Sequence, residues 1–161
     1  MPEMKVHPAL IGLMSAGLMI AALLAGYYQT IPDATTAQLV AYGFYAAGLV
    51  ASLLLQGSPS KGFGGNFSIG FRCFIVITLV MVLFTYFFNA LHPETSDQAA
   101  NQLNDSLQKA NNRTPDEIER DVNLFREGFS TMVVSRAIFG YLTYGAIITA
   151  MVSFIQTLRK P

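Results

Sequence analysis

The chain has 161 residues, 52% of them hydrophobic and only 12% charged, with ten basic and ten acidic side chains and a formal net charge of zero. Ordinary soluble domains carry about 25% charged residues, so this composition excludes a surface built for water, and the length allows one domain. The charge balance excludes the basic face that nucleic-acid binding needs, and the single cysteine, Cys73, excludes an intramolecular disulfide framework and a cysteine-based metal cluster.

Four apolar runs follow one another along the chain. A helix of about 20 apolar residues at 1.5 Å per residue crosses a 30 Å hydrocarbon core. The first run, about residues 9–28, has no charge, and neither has the second, about 38–55. The third, about 70–91, carries Arg72 at its start, and the fourth, about 132–155, carries Arg136 one turn inside. Backbone N–H and C=O groups in hydrocarbon must be paired within the segment, so all four are expected as α-helices. The expected fold class is an all-α membrane protein with four transmembrane helices and one polytopic domain. Lys5 ahead of the first run gives it some likeness to a signal peptide, but its length and the three spans that follow favour a retained helix.

Lysine and arginine set the orientation. Lys5, Lys61, Arg72, Arg159 and Lys160 fall on one side if the four helices alternate, and the 29–37 connection has neither residue type. The long segment after the third run puts Lys109, Arg113, Arg120 and Arg126 on the other side, against eight acidic residues. Longer loops cross more freely despite their charge, so both termini are expected in the cytoplasm.

Between the third and fourth runs lies a polar segment, about 95–128. Ala99, Ala100, Leu103, Leu107 and Ala110 recur at helical steps, which predicts a short amphipathic helix over 97–110. The Asn-Asn-Arg at 111–113 breaks it. Thr114, Pro115 and Glu117 then spell a capping box with proline at the first helical position, and Ile118, Val122, Phe125 and Phe129 form an apolar stripe leading into the fourth run. The segment is expected to be an extramembrane helical hairpin, with Gly128 as a bend.

The glycine-rich stretch from Lys61 to Arg72 does not spell a phosphate loop. Lys61 precedes every glycine of the cluster, Phe67 stands where the dinucleotide fingerprint needs its last glycine, and neither flank is a strand. Phe63, Phe67 and Phe71 recur every four residues, which predicts a short helix lying among the headgroups, with Lys61 and Arg72 facing anionic lipid.

The pattern F-G-x-x-F-x-x-G-F, formed by Phe63, Gly64, Phe67, Gly70 and Phe71, resembles a family of small bacterial four-helix inner-membrane proteins catalogued as a domain of unknown function. A long aliphatic span and a His-Pro-Glu at 92–94 complete the likeness. The resemblance implies an inner-membrane setting and an accessory role in the envelope. Members often carry an acidic residue where this chain has Gly65.

No candidate catalytic residue, metal ligand set or cofactor site emerges. His7 and His92 belong to opposite faces, about 30 Å apart, and no span holds an aspartate, glutamate or histidine that would relay protons or act as base. The chain therefore reads as a non-enzymatic membrane protein whose expected partners are membrane lipids and another membrane protein or itself. One polar feature is a candidate lipid or anion contact. Tyr86, Tyr141 and Tyr144 with Arg136 fall in the outer half of the spans, where phenols and a guanidinium can hold a lipid phosphate. Packing is expected through small residues four apart: Gly17, Ala21 and Ala25; Gly43, Ala47 and Ala51; and Gly145, Thr149 and Ser153. The bulky third run is expected to face lipid or a partner.

Overall fold

The structure is a computed structural model that describes residues 7–28, 30 and 33–158. Lys5, Arg159 and Lys160, used above for orientation, lie outside the described residues. The chain is 92% helical, with five α-helices and no strand among the described residues. They are α1 (Pro8–Tyr27), α2 (Ala34–Gln56), α3 (Gly62–Leu91), α4 (Glu94–Ala110) and α5 (Pro115–Leu158), with a single 3-10 turn at Pro59–Lys61 ahead of α3. Four of them, α1, α2, α3 and α5, are long and apolar enough to cross a membrane.

Each helix starts where local chemistry allows. His7 caps α1, its Nδ1 accepting from the Ala9 N–H at 3.3 Å, and Pro8 follows at a position where a missing N–H costs nothing. Asp33 caps α2 by accepting from the Thr36 N–H and hydroxyl, which places the start of α2 ahead of the apolar run itself. Asn111 ends α4 in the left-handed conformation at φ 49°. Thr114 and Glu117 form the reciprocal capping box expected from the sequence: the Thr114 N–H donates to Glu117 Oε2 at 2.8 Å, and the Glu117 N–H donates to Thr114 Oγ1 at 3.4 Å. Gly128 does not interrupt α5, which runs helical from Pro115 to Leu158. No break separates the Phe63–Phe71 stretch from the rest of α3 either, so the separate interfacial helix expected there is instead the first turns of one continuous helix.

The chain divides into two compact units, residues 1–81 with 138–161, and residues 82–137. In the first unit the helix directions follow from paired contacts. Ser15 meets Phe44 and Gly48, and Gly26 meets Ala37, so α1 and α2 are antiparallel. Gly70 meets Thr149 and Gly145 meets Phe74, so α3 and α5 are antiparallel as well. The core is Ala16, Met19, Tyr45, Leu49, Leu53, Cys73, Ile77 and Met81, all fully buried.

Two packing expectations are corrected. On α1 and α2 the small residues that face neighbours are Gly12, Ala16, Ala22, Ala37, Ala41 and Gly48, whereas Gly17, Ala21, Gly43 and Ala47 are exposed and nothing lies within 4 Å of either glycine's Cβ position. Both faces of such a helix are apolar, so hydropathy does not mark the inner one. The bulky α3 is not set apart as a lipid face: 33% of its most apolar stretch is buried, against 28% for α1 and α2 and 22% for α5, while Leu79, Leu83 and Phe87 stay exposed. Its side chains fill the space that small residues leave: Phe74 sits against Gly145, and the α3 backbone at Cys73 reaches Gly12.

In the second unit α4 and the first turns of α5 share a small apolar core of Ala100, Ile118 and Val122, flanked by Leu103, Leu107 and Phe125. Arg126 pairs with Asp97 at 3.0 Å, and Arg113 pairs with Asp121. These pairs are too exposed to stabilise by much, so the apolar contacts carry the association.

Gly12→Ala places a methyl 2.8 Å from the Cys73 carbonyl oxygen, which is backbone and cannot swing aside. This variant is expected to lose about 1–3 kcal/mol, read as a lower melting temperature in detergent, while Gly17→Ala is neutral or stabilising by up to about 1 kcal/mol. A reversed order returns the α1 interface to the Gly17 face. The Glu117 carboxyl is held below the usual glutamate range, chiefly by the Thr114 N–H and then by its hydroxyl. Because the folded value is the depressed one, the cap's contribution is complete above the unfolded value and is lost as pH falls through the folded value. Carboxyl NMR titration should place Glu117 below an exposed reference glutamate, and Thr114→Val, which removes the hydroxyl but keeps the N–H, should bring it only part of the way back.

Candidate functional site

The tyrosines at i and i+3 on α2, Tyr42 and Tyr45, share a face, and so do Tyr141 and Tyr144 on α5. The fold brings these two faces together. Ring centroids lie 4.9 Å apart for Tyr42 and Tyr144, 5.5 Å for Tyr45 and Tyr144, and 6.0 Å for Tyr45 and Tyr141. The Tyr45 hydroxyl donates to the Tyr141 carbonyl at 2.8 Å. Tyr45 is fully buried and Tyr141 nearly so, and their rings are spent on this stack. Of the four residues expected to form a lipid or anion contact, the first unit therefore holds Tyr141 and Tyr144 in an aromatic cluster. Tyr86 and Arg136 belong to the second unit: Tyr86 is exposed with its ring 5.5 Å from Phe87, and Arg136 is exposed and forms no ion pair among the described residues.

The Lys61–Arg72 stretch is a helix start stitched to the end of α2. The Lys61 ammonium donates to the Gln56 carbonyl, and Gly62 takes φ +64°, a conformation that costs glycine little. Phe63 and Phe67 stack at 5.8 Å, Phe71 packs edge-on against Phe74 at 5.2 Å, and Phe63, Phe71 and Arg72 are exposed. Sequence reading missed the residue that organises this turn. Asn66 is fully buried; its Oδ1 accepts from the Ser58 N–H at 3.0 Å and its amide donates to the Ser58 carbonyl at 3.0 Å. The Ser58 N–H lies past the end of α2 with no helical partner of its own, while the Ser58 carbonyl also accepts from the Lys61 N–H of the 3-10 turn at 3.1 Å. The signal was available, since an asparagine among apolar residues is costly unless something pairs it.

Gln156 was missed in the same way. Its amide donates to the Leu53 carbonyl at 2.7 Å, tying the end of α5 to the end of α2. With Ser52, Thr149 and Ser153 it makes the bundle interior polar but neutral, and Cys73 is a free thiol buried among these groups. Among the described residues no group of three or more His, Cys, Asp or Glu side chains is placed to hold a metal ion.

The second unit carries a groove of about 560 Å³ between α4 and α5. Five carboxamides line it, Asn101, Asn104, Gln108, Asn111 and Asn123, with Arg113 and Arg126 at its sides, and Ile118 and Val122 contribute apolar surface. Both arginines are already paired with aspartates, and Glu119 adds a carboxylate to the lining, so the groove offers mainly neutral donors and acceptors with one acidic group.

No protein-family model, no curated protein and no solved structure matches this chain.

Asn66→Ala removes both bonds to Ser58 and leaves the Ser58 N–H unpaired, the Ser58 carbonyl keeping the Lys61 N–H. The expected cost is about 1–3 kcal/mol, measured as a lower melting temperature in detergent, with exposed Ser60→Ala as the silent comparison.

Proposed function

We propose that this chain is a non-enzymatic multi-pass protein of the bacterial inner membrane, with both termini cytoplasmic, and that it serves as an accessory or scaffolding subunit of an envelope membrane complex. The observation that carries the proposal is the polar segment of α4 and early α5. It closes on its own apolar core and still offers an amide-lined groove, together with Leu124, which is 60% exposed among charged neighbours. A helix the length of α5, 44 residues, measures about 66 Å, twice a hydrocarbon core of about 30 Å. Its charged first half is therefore assigned outside the membrane, as one arm of an extramembrane helical hairpin. The inner-membrane orientation rests on Lys61 and Arg72 against a 29–37 connection without basic residues, and on the resemblance of the Phe63–Phe71 pattern.

The buried polar groups of the bundle are hydroxyls, amides and one thiol, which suit helix packing better than acid–base chemistry. The partner is another membrane protein, engaged through the hairpin, with membrane lipid around the spans. A second reading is a lipid-binding or solute-permeation role, favoured by the exposed, unpaired Arg136 on an apolar helix and by the tyrosine cluster.

Native mass spectrometry after mild-detergent purification separates the two. The first reading expects a second membrane subunit at fixed stoichiometry, lost in Leu124→Arg without a change in melting temperature. A homo-oligomer that retains phospholipid, and loses it in Arg136→Ala, replaces the first reading with the second.

A further inference from the structure

Serine and threonine inside a transmembrane helix have a free hydrogen bond available, to the carbonyl one turn back on their own helix. Thr157 takes it, donating to the Ser153 carbonyl at 2.8 Å. Four buried hydroxyls of the first unit do not. Ser52 on α2, Thr78 on α3, and Thr149 and Ser153 on α5 bond to no protein atom, and neither does Gln156 Oε1. Each of the five side chains is more than nine-tenths buried.

These groups are not scattered. Thr149 and Ser153 lie one turn apart on one face of α5, with Gln156 three residues further on. The Gln156 carboxamide lies against Gly57, and Thr149 against Gly70. The Ser52 hydroxyl neighbours the Cys73 thiol and the Thr78 hydroxyl neighbours the Tyr45 phenol, yet neither pair reaches hydrogen-bond geometry; Tyr45 gives its proton to the Tyr141 carbonyl instead. From Gln156 to Thr149, α5 rises about 10 Å, so these groups form a polar seam along the inner face of α5, with Ser52 on α2 and Thr78 on α3 as the polar groups of the neighbouring helices.

Four hydroxyls that forgo their own helices' carbonyls, and one carboxamide oxygen without a donor, need another partner inside an apolar bundle. The chemistry of the set selects it. No carboxylate is present to neutralise a cation, and the nearby Lys61 ammonium is engaged by the Gln56 carbonyl, so no anion site is formed either. The groups are neutral, and hydroxyls both donate and accept. We propose that α2, α3 and α5 enclose a row of bound water molecules held by Ser52, Thr149, Ser153 and Gln156 and extending towards Thr78. Each water bridges groups from different helices, and the seam works as a polar glue whose bonds are made through solvent.

The test uses the whole chain in detergent or nanodiscs. X-ray radiolysis in ¹⁸O-water generates hydroxyl radicals from ordered internal waters and marks the side chains beside them. Cys73 and Tyr45, fully buried from bulk solvent, are expected to acquire ¹⁸O, and Thr149→Val combined with Ser153→Ala should cut that labelling several-fold. The same variant should melt about 2–4 °C lower, because bridging waters lose their partners. Unlabelled Cys73 and Tyr45 in the unaltered protein overturn the proposal. So does a higher melting temperature in the double variant, which is the signature of dry, unpaired hydroxyls being removed.

Discussion

The constraint on which this structure depends is that a backbone in hydrocarbon finds no water to bond. Helix satisfies it along each span and leaves the ends exposed as the problem, four N–H and four C=O groups at a time. The protein answers at several of them with a side chain: His7 at the start of α1, Asp33 at the start of α2, Asn66 at Ser58 just past the end of α2, and Gln156 at the Leu53 carbonyl in its last turn. Once the ends are closed, side-chain packing decides which helices touch. Because lipid tails are as apolar as leucine, close approach decides it rather than hydrophobicity.

This constraint also explains what could be read in advance. The four spans were legible because a long uncharged run has few alternatives, and the Thr114–Glu117 capping box was legible because two side chains and a proline at fixed offsets define it. The inner faces of α1 and α2 were not legible. Gly17 and Gly43 offered small stripes as good as those of Gly12 and Gly48, and only the position of the neighbouring helix distinguishes them. The burial of α3 was hidden for the complementary reason: its large side chains suggested an outward face, when they are what fills the gaps beside small ones.

The candidate site was legible in part. Tyr141 and Tyr144 were singled out, but the fold joins them to Tyr42 and Tyr45 as a packed cluster, and the fully buried Tyr45 is its anchor. Polar residues inside the spans were the overlooked signal. Ser52, Asn66, Thr149, Ser153 and Gln156 lie within or beside apolar runs, and their cost there demands a role that a count of charges does not register.

The clasp between Ser58 and Asn66 spans eight residues, whereas the bonds from Gln156 to Leu53 and from Tyr45 to Tyr141 span 103 and 96. Closing a short loop costs far less chain entropy than closing a long one. The turn from α2 into α3 is therefore the less costly closure, and the bonds from α5 back to α2 are the more costly ones. Sequence distance thus leaves the costliest closures to the final helix, which is held in place by two bonds reaching back to Tyr45 and Leu53 of α2.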